Sequence, residues 1–120
     1  MHEHMNSLSN AMICRDGAAL LRIADNDSAA KEGKVGCIGY CMSGPFAFAA
    51  AAKLNHRIAA AAPFHGVRLF SDVSDSPHLD AHKINAEIYF GCAETDSYPP
   101  QEMANNLDNY LEKTGTNYRI

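Results

Sequence analysis

A thiol stands between two glycines in the sequence GYCMSG, which covers residues 39–44. An apolar run precedes it and an alanine-rich run follows it, so Cys41 lies where a short strand must turn sharply into a helix. Such a turn needs small residues two positions away on each side, and Gly39 and Ser43 provide them. The backbone N–H of Met42 then points at a developing oxyanion. The pattern predicts a nucleophilic cysteine, and it also fits a buried structural cysteine.

Other residues near the predicted strand ends are candidates for binding. His65 directly follows an apolar run at residues 58–64, and neighbouring strand ends of a parallel sheet converge on one crevice. We expect His65 to form a pocket wall rather than to act as a base, and the alternative is a loop histidine bonded to backbone. We expect Tyr40 to pack at the entrance of that pocket, and the alternative is an ordinary core aromatic. His78 and His82 have the spacing of a helical zinc pair, but no third ligand accompanies them, so an exposed loop turn is favoured. We predict no metal and no organic cofactor.

Strand-like and helix-like segments alternate along the chain, and this order predicts an α/β fold with a mostly parallel sheet flanked by helices. The positive end of the helix after the cysteine would favour the thiolate. Residues 1–8 are expected to be loose, and residues 65–83 to form a long irregular loop. The first strand is expected to be buried on both faces, and the first helix to bury Ile13, Leu20, Leu21 and Ile23. Helices are predicted at residues 11–26, 43–53 and 99–114, and strands at 34–39, 58–64, 86–91 and from 117.

Composition limits the class of protein. The chain has 120 residues, of which 47% are hydrophobic and 20% charged, which fits one globular domain over residues 1–120 that is small for a complete α/β enzyme. The net charge is -4 and no block of lysines and arginines occurs, so nucleic acid is not expected as a partner. No apolar run suggests a membrane span or a secretion signal. Four cysteines without a CxxC pair predict a reducing, cytoplasmic setting.

Four segments together resemble the dienelactone hydrolase (carboxymethylenebutenolidase) family, whose members have the α/β-hydrolase fold and use Cys, His and Asp. The segments are VGCI, GYCMSG, AAAAPFHG and AEIYFGCAETDSYPPQEM, so the resemblance extends over nearly the whole chain. The resemblance implies that Cys41 is the nucleophile and that Asp96 is the acid that orients a histidine. It also implies a lactone or carboxylic ester as the substrate. Ser43 departs from the family pattern, in which many relatives have glycine.

Two parts of the family pattern are missing from this sequence. The family's catalytic histidine follows the acid, whereas no histidine follows Asp96 here, and the family's early strands have no counterpart. We therefore expect a partial α/β-hydrolase fold that is inactive as this short chain, because no base would move protons. The alternative is a non-catalytic α/β module that binds a ligand or a partner chain. The strand at residues 34–39 would then have a bare edge, through which we expect self-association.

Overall fold

The fold is described from a computed structural model, and the structure describes residues 2–95 and 101–120. From residue 10 onward helices and strands alternate, as the sequence predicts. The helices are α1 (His2–Ser7), α2 (Asn10–Asp25), α3 (Gly44–Lys53) and α4 (Gln101–Leu111), and the strands are β1 (Val35–Tyr40), β2 (Ile58–Phe64), β3 (Glu87–Tyr89) and β4 (Tyr118–Arg119). Two 3₁₀ segments, Cys41–Ser43 and Pro77–Lys83, complete the described elements. None of the helices in these two ranges is long and apolar enough to cross a membrane.

The four strands form one parallel sheet in the order β1-β2-β3-β4. Tyr40, the last residue of β1, is paired with Phe64, the last residue of β2. Phe64 in turn forms an isolated parallel bridge with Gly91, just beyond β3. The chain segments that follow these strands therefore emerge side by side at the carboxyl end of the sheet. This is the end at which α/β folds place their ligands.

The hydrophobic core lies between one face of the sheet and the helices α3 and α4. Phe48 of α3 packs edge to face against Phe90, with ring centroids 5.0 Å apart, and both side chains are almost fully buried. Leu107 and Leu111 of α4 have no exposed surface and join the same cluster, as does Ile88 of β3. Burial of each such side chain contributes about 1.5–3 kcal/mol to folding, so this cluster fixes the helices on the sheet.

The other face of the sheet is open within the described residues, and the expectation that the first strand is buried on both faces is wrong. Ile38 and Tyr40 of β1 are 64% and 61% exposed, and Tyr89 of β3 is 51% exposed. Tyr40 stacks on Phe64, and Phe64 contacts Tyr89, with ring centroids 5.4 Å and 5.9 Å apart. The alternation of inward and outward side chains along a strand brings these three rings onto one surface.

The N-terminal helices differ from the sequence-based expectations. Residues 2–7 are helical rather than loose. Helix α2 begins after Ser9, whose hydroxyl accepts a hydrogen bond from the Met12 N–H. Leu20 and Ile23, which periodicity assigned to the buried side, are both 67% exposed, whereas Cys14 is buried. The physical reason is that α2 packs against α3 rather than against the sheet, so it buries a narrower stripe of its surface.

Candidate active site

The turn from β1 to α3 holds Cys41 in an exposed and strained position. Cys41 has a positive φ of 51°, which is uncommon for a residue with a Cβ, and its side chain is exposed. Gly39 precedes it by two positions, and a Cβ there would lie 2.2 Å from the carbonyl oxygen of Ser43. The turn therefore requires glycine at position 39, as its sequence pattern predicts. The helix α3 begins at Gly44, so its positive end lies next to the turn.

Ser43 holds the turn through its side chain, a role that the sequence analysis missed. The Tyr40 N–H donates to the Ser43 hydroxyl at 2.7 Å, and the same hydroxyl donates to the Tyr40 carbonyl at 2.8 Å. One hydroxyl thus satisfies both backbone groups of the residue before Cys41. The signal was present in the sequence, because serine occupies a position where the family pattern often has glycine.

A second close approach joins the turn to the segment after β2. A Cβ at Gly44 would lie 2.5 Å from the Cα of Gly66, so only glycine lets the start of α3 approach that backbone. Next to this contact, the Val67 N–H donates to the Cys41 carbonyl at 3.3 Å. The chain after β2 is therefore fixed directly to the turn that carries Cys41.

His65 and Tyr40 lie on either side of this junction. His65 is exposed, has a φ of 49°, and donates its backbone N–H to the Gly91 carbonyl at 2.8 Å. Because Tyr40 and Phe64 are paired, His65 and Cys41 are the first residues beyond two neighbouring strand ends. Among the described residues, no hydrogen bond links the Cys41 thiol to the His65 ring. Tyr40 lies on the open face of the sheet.

The remaining predicted site residues are in different surroundings. Asp96 lies outside the described residues. His78, expected in an exposed turn, is instead buried in the 3₁₀ segment, where its Nδ1 is 2.7 Å from the Ser76 hydroxyl and its ring stacks on Phe70. Burial lowers the pKa of His78, and the Asp72 charge opposes that shift. His82 is exposed. No group of three metal-ligating side chains occurs within residues 2–95 and 101–120.

The other cysteines have less reactive environments. Cys14 is buried, and burial raises the pKa of its thiol to about 11. Burial also raises the pKa of Cys37, whose sulfur lies 3.6 Å from the Ala47 carbonyl oxygen and donates to it. Cys92 is exposed, and partial desolvation raises its pKa. A raised pKa reduces the thiolate fraction at neutral pH and with it the reactivity of the thiol.

A cavity of about 200 Å³ lies beside the nucleophile turn. Its walls include Met42, the start of α3, and the segment after β2. Its far wall is held by Asn10, which donates its backbone N–H to the Asp75 carboxylate at 2.6 Å and its side-chain amide to the Asp75 carbonyl at 2.5 Å. Tyr40 and His65 do not line this cavity. Sequence reasoning missed it because its walls come from segments that are more than sixty residues apart in the chain.

Comparison with known proteins agrees with this architecture. The crystal structure of a protein provisionally assigned as a dienelactone hydrolase from Klebsiella pneumoniae subsp. pneumoniae MGH 78578 superimposes with a TM-score of 0.78 at 19% sequence identity. The match covers 94% of this chain and 48% of that chain, so this chain spans about half the length of the relative. At this identity the likeness shows a shared fold. No curated protein matches the sequence significantly. The sequence profile of the Dienelactone hydrolase family matches residues 1–120, and the chain therefore belongs to that family.

Proposed function

We propose that this chain carries the nucleophile of a hydrolase that attacks the carbonyl of a carboxylic ester or lactone through Cys41. The observation that supports this most is the strained, exposed position of Cys41 at the start of α3. Strained backbone of this kind costs on the order of 1–3 kcal/mol and persists where the surrounding structure fixes it. Here Gly39, Ser43 and Val67 do so through a close approach and three hydrogen bonds.

The proposed reaction begins with attack of the Cys41 thiolate on the substrate carbonyl carbon. A C–S bond forms and the C–O bond to the alcohol oxygen breaks, with its electron pair staying on that oxygen. The alcohol leaves when the substrate is an open-chain ester and stays tethered to the acyl group when it is a lactone. The Met42 N–H stabilises the oxyanion of the tetrahedral intermediate. Water then hydrolyses the thioester, which releases the carboxylic acid and restores the thiol. No step of this scheme requires a metal or an organic cofactor.

Proton transfer distinguishes the two stages of this reaction. Acylation of a thiolate by an activated ester needs no base, whereas hydrolysis of the thioester needs an activated water. Asp96 is the proposed orienting acid, and no histidine follows it among residues 97–120. A positioned base contributes about 10²–10⁴-fold to rate. We therefore propose that this 120-residue chain acylates once and then stalls.

The test is the reaction of the purified chain with p-nitrophenyl acetate. We expect one equivalent of p-nitrophenolate and one acetyl group on Cys41, identified by peptide mass analysis. Cys41→Ser should abolish both signals, whereas Cys92→Ser, which removes another exposed thiol, should leave the burst intact. Multiple turnovers that survive Cys41→Ser would place the chemistry elsewhere. A Cys41 that no ester acylates would support the non-catalytic binding module instead.

His65 follows the strand that pairs with β1, so it lies close to the turn that carries Cys41. We propose that it contacts substrate rather than transferring protons. In a chain extended by early strands and a histidine segment of the family pattern, His65→Ala should raise KM more than it lowers kcat. A loss of kcat as large as that of Cys41→Ala would assign the base to His65.

A further inference from the structure

The cavity beside Met42 is not lined by Tyr40 or His65, the two residues expected to form a pocket. Its lining is mixed: the apolar residues are Leu8, Met42, Pro45, Phe46, Val67 and Val73, and the polar or charged ones are Ser9, Asn10, Arg68, Asp75 and Ser76. Val67 is itself bonded to the Cys41 carbonyl through its N–H, so this wall cannot shift without moving the nucleophile turn. The cavity is thus a fixed part of the turn rather than a gap between loops.

The position of the cavity relates it to one part of the substrate. Met42, which supplies the proposed oxyanion N–H, also lines the cavity, whereas Cys41 does not, so the cavity adjoins the residue that would hold the substrate carbonyl. In an open-chain ester, one of the two substituents of this carbonyl leaves as the alcohol and the other remains in the acyl group bonded to sulfur. We propose that the cavity holds the substituent that stays, and hence that it is the acyl pocket of the enzyme. This inference rests on the proposed function.

The size and lining of the cavity limit the acyl group. A water molecule takes about 30 Å³ in the liquid, so a volume of about 200 Å³ holds about six or seven atoms of that size. The acyl chain that fits has roughly four to six carbons. Two charged residues line the cavity: the Asp75 carboxylate already accepts the Asn10 N–H, and Arg68 is exposed. The volume therefore selects a short acyl chain and excludes a long one.

The test is a series of p-nitrophenyl esters, from acetate through butyrate, hexanoate and octanoate to decanoate. The second-order rate of Cys41 acylation is measured for each ester and divided by its rate with free N-acetylcysteine, which removes intrinsic differences in reactivity. Each buried methylene contributes roughly fourfold, so butyrate and hexanoate should react at least about tenfold faster than acetate. Octanoate and decanoate should fall back, because their chains exceed the cavity.

Variants of the cavity wall make the assignment specific. Val73 is 58% exposed, so Val73→Phe is compatible with folding, and its ring would fill the cavity. It should lower the ratio of hexanoate to acetate rates by about tenfold or more. Val67→Ala should move the optimum to a longer chain. Val35→Ala, at the opposite end of β1, is the matched control and should leave the ratio unchanged.

The outcomes distinguish failure of the acyl pocket from failure of the proposed Cys41 nucleophile. If acetate acylates Cys41 but the rates do not depend on chain length, or Val73→Phe leaves the ratio unchanged, the acyl pocket is overturned and the nucleophile stands. If no ester in the series acylates Cys41, the proposed function fails, and the acyl pocket fails with it.

Discussion

Gly39→Ala tests whether the nucleophile turn is as tightly constrained as its geometry indicates. A Cβ at position 39 would lie 2.2 Å from the Ser43 carbonyl oxygen, 2.7 Å from its carbonyl carbon and 3.0 Å from the Gly44 nitrogen. All three atoms belong to backbone, so no side chain can rotate away. Relief requires movement of the turn that carries Cys41.

The size of the effect follows from two opposing terms. Overpacking of this kind costs about 1–3 kcal/mol. Replacing glycine by alanine also restricts the unfolded chain, which offsets about 0.4–1 kcal/mol. The net loss of unfolding free energy should be about 1–2 kcal/mol. Gly36→Ala is the matched control in the same strand, since its nearest contact would be 3.7 Å from the Ala60 carbonyl oxygen, which is ordinary van der Waals distance.

The assay is urea unfolding followed by far-UV circular dichroism, combined with iodoacetamide labelling of the folded protein. Gly39→Ala should lower the urea midpoint by roughly 1 M, whereas Gly36→Ala should hold it or raise it slightly. The rate at which iodoacetamide labels Cys41 should change in Gly39→Ala and stay the same in Gly36→Ala. If Gly39→Ala unfolds within about 0.2 M of the unchanged protein and labels at the same rate, the close approach does not constrain the turn.

Four further predictions address other features. Ser43→Ala removes both hydrogen bonds to the backbone of Tyr40 and should lower the unfolding free energy by about 1 kcal/mol. An unchanged midpoint in urea titrations would contradict this role of Ser43. Burial lowers the pKa of His78, so the unfolded chain binds its proton more readily, and stability should fall as the pH drops below the ordinary histidine pKa of 6.5. His78→Phe should flatten that slope, and an equal slope in both proteins would assign it to other groups. Iodoacetamide should modify Cys41 well before Cys14, whose pKa burial raises to about 11, and equal rates by peptide mapping would argue against a reactive turn. The chain should self-associate through β1, and Ile38→Lys should reduce the mass measured by sedimentation, unless association uses another surface.

The sequence predicted the parts of the fold that depend on local chemistry. Alternating apolar segments and the glycine at position 39 were enough to locate the parallel strands and the nucleophile turn, because a tight turn has few possible sequences. The buried side of α2 was not predictable in the same way. Leu20 and Ile23 have the right spacing for burial, but which stripe is covered depends on the partner helix. The same holds for β1, whose composition suits burial on both faces although one face is open.

The site was predictable only in part for the same reason. Cys41 and Met42 were chosen from one short motif, and both directly follow the carboxyl end of β1, the end at which parallel sheets generally place ligands. The cavity beside them depends on a contact between Asn10 and Asp75, which no local pattern indicates. Burial of His78 likewise depends on Phe70 and Tyr110, which pack around its ring from other segments.

The Ser43 hydroxyl also determines how far another strand can extend along β1. The Val35 N–H donates toward β2, and backbone groups alternate in direction along a strand, so those of Gly36, Ile38 and Tyr40 point away from β2. At Tyr40 both outward groups are already occupied by Ser43. A strand added beside β1 could therefore form hydrogen bonds with the backbone groups of Gly36 and Ile38 but not with those of Tyr40. Ser43 therefore ends strand pairing along this side of β1 one residue before Cys41. A neighbouring strand can pair with β1 without covering the thiol.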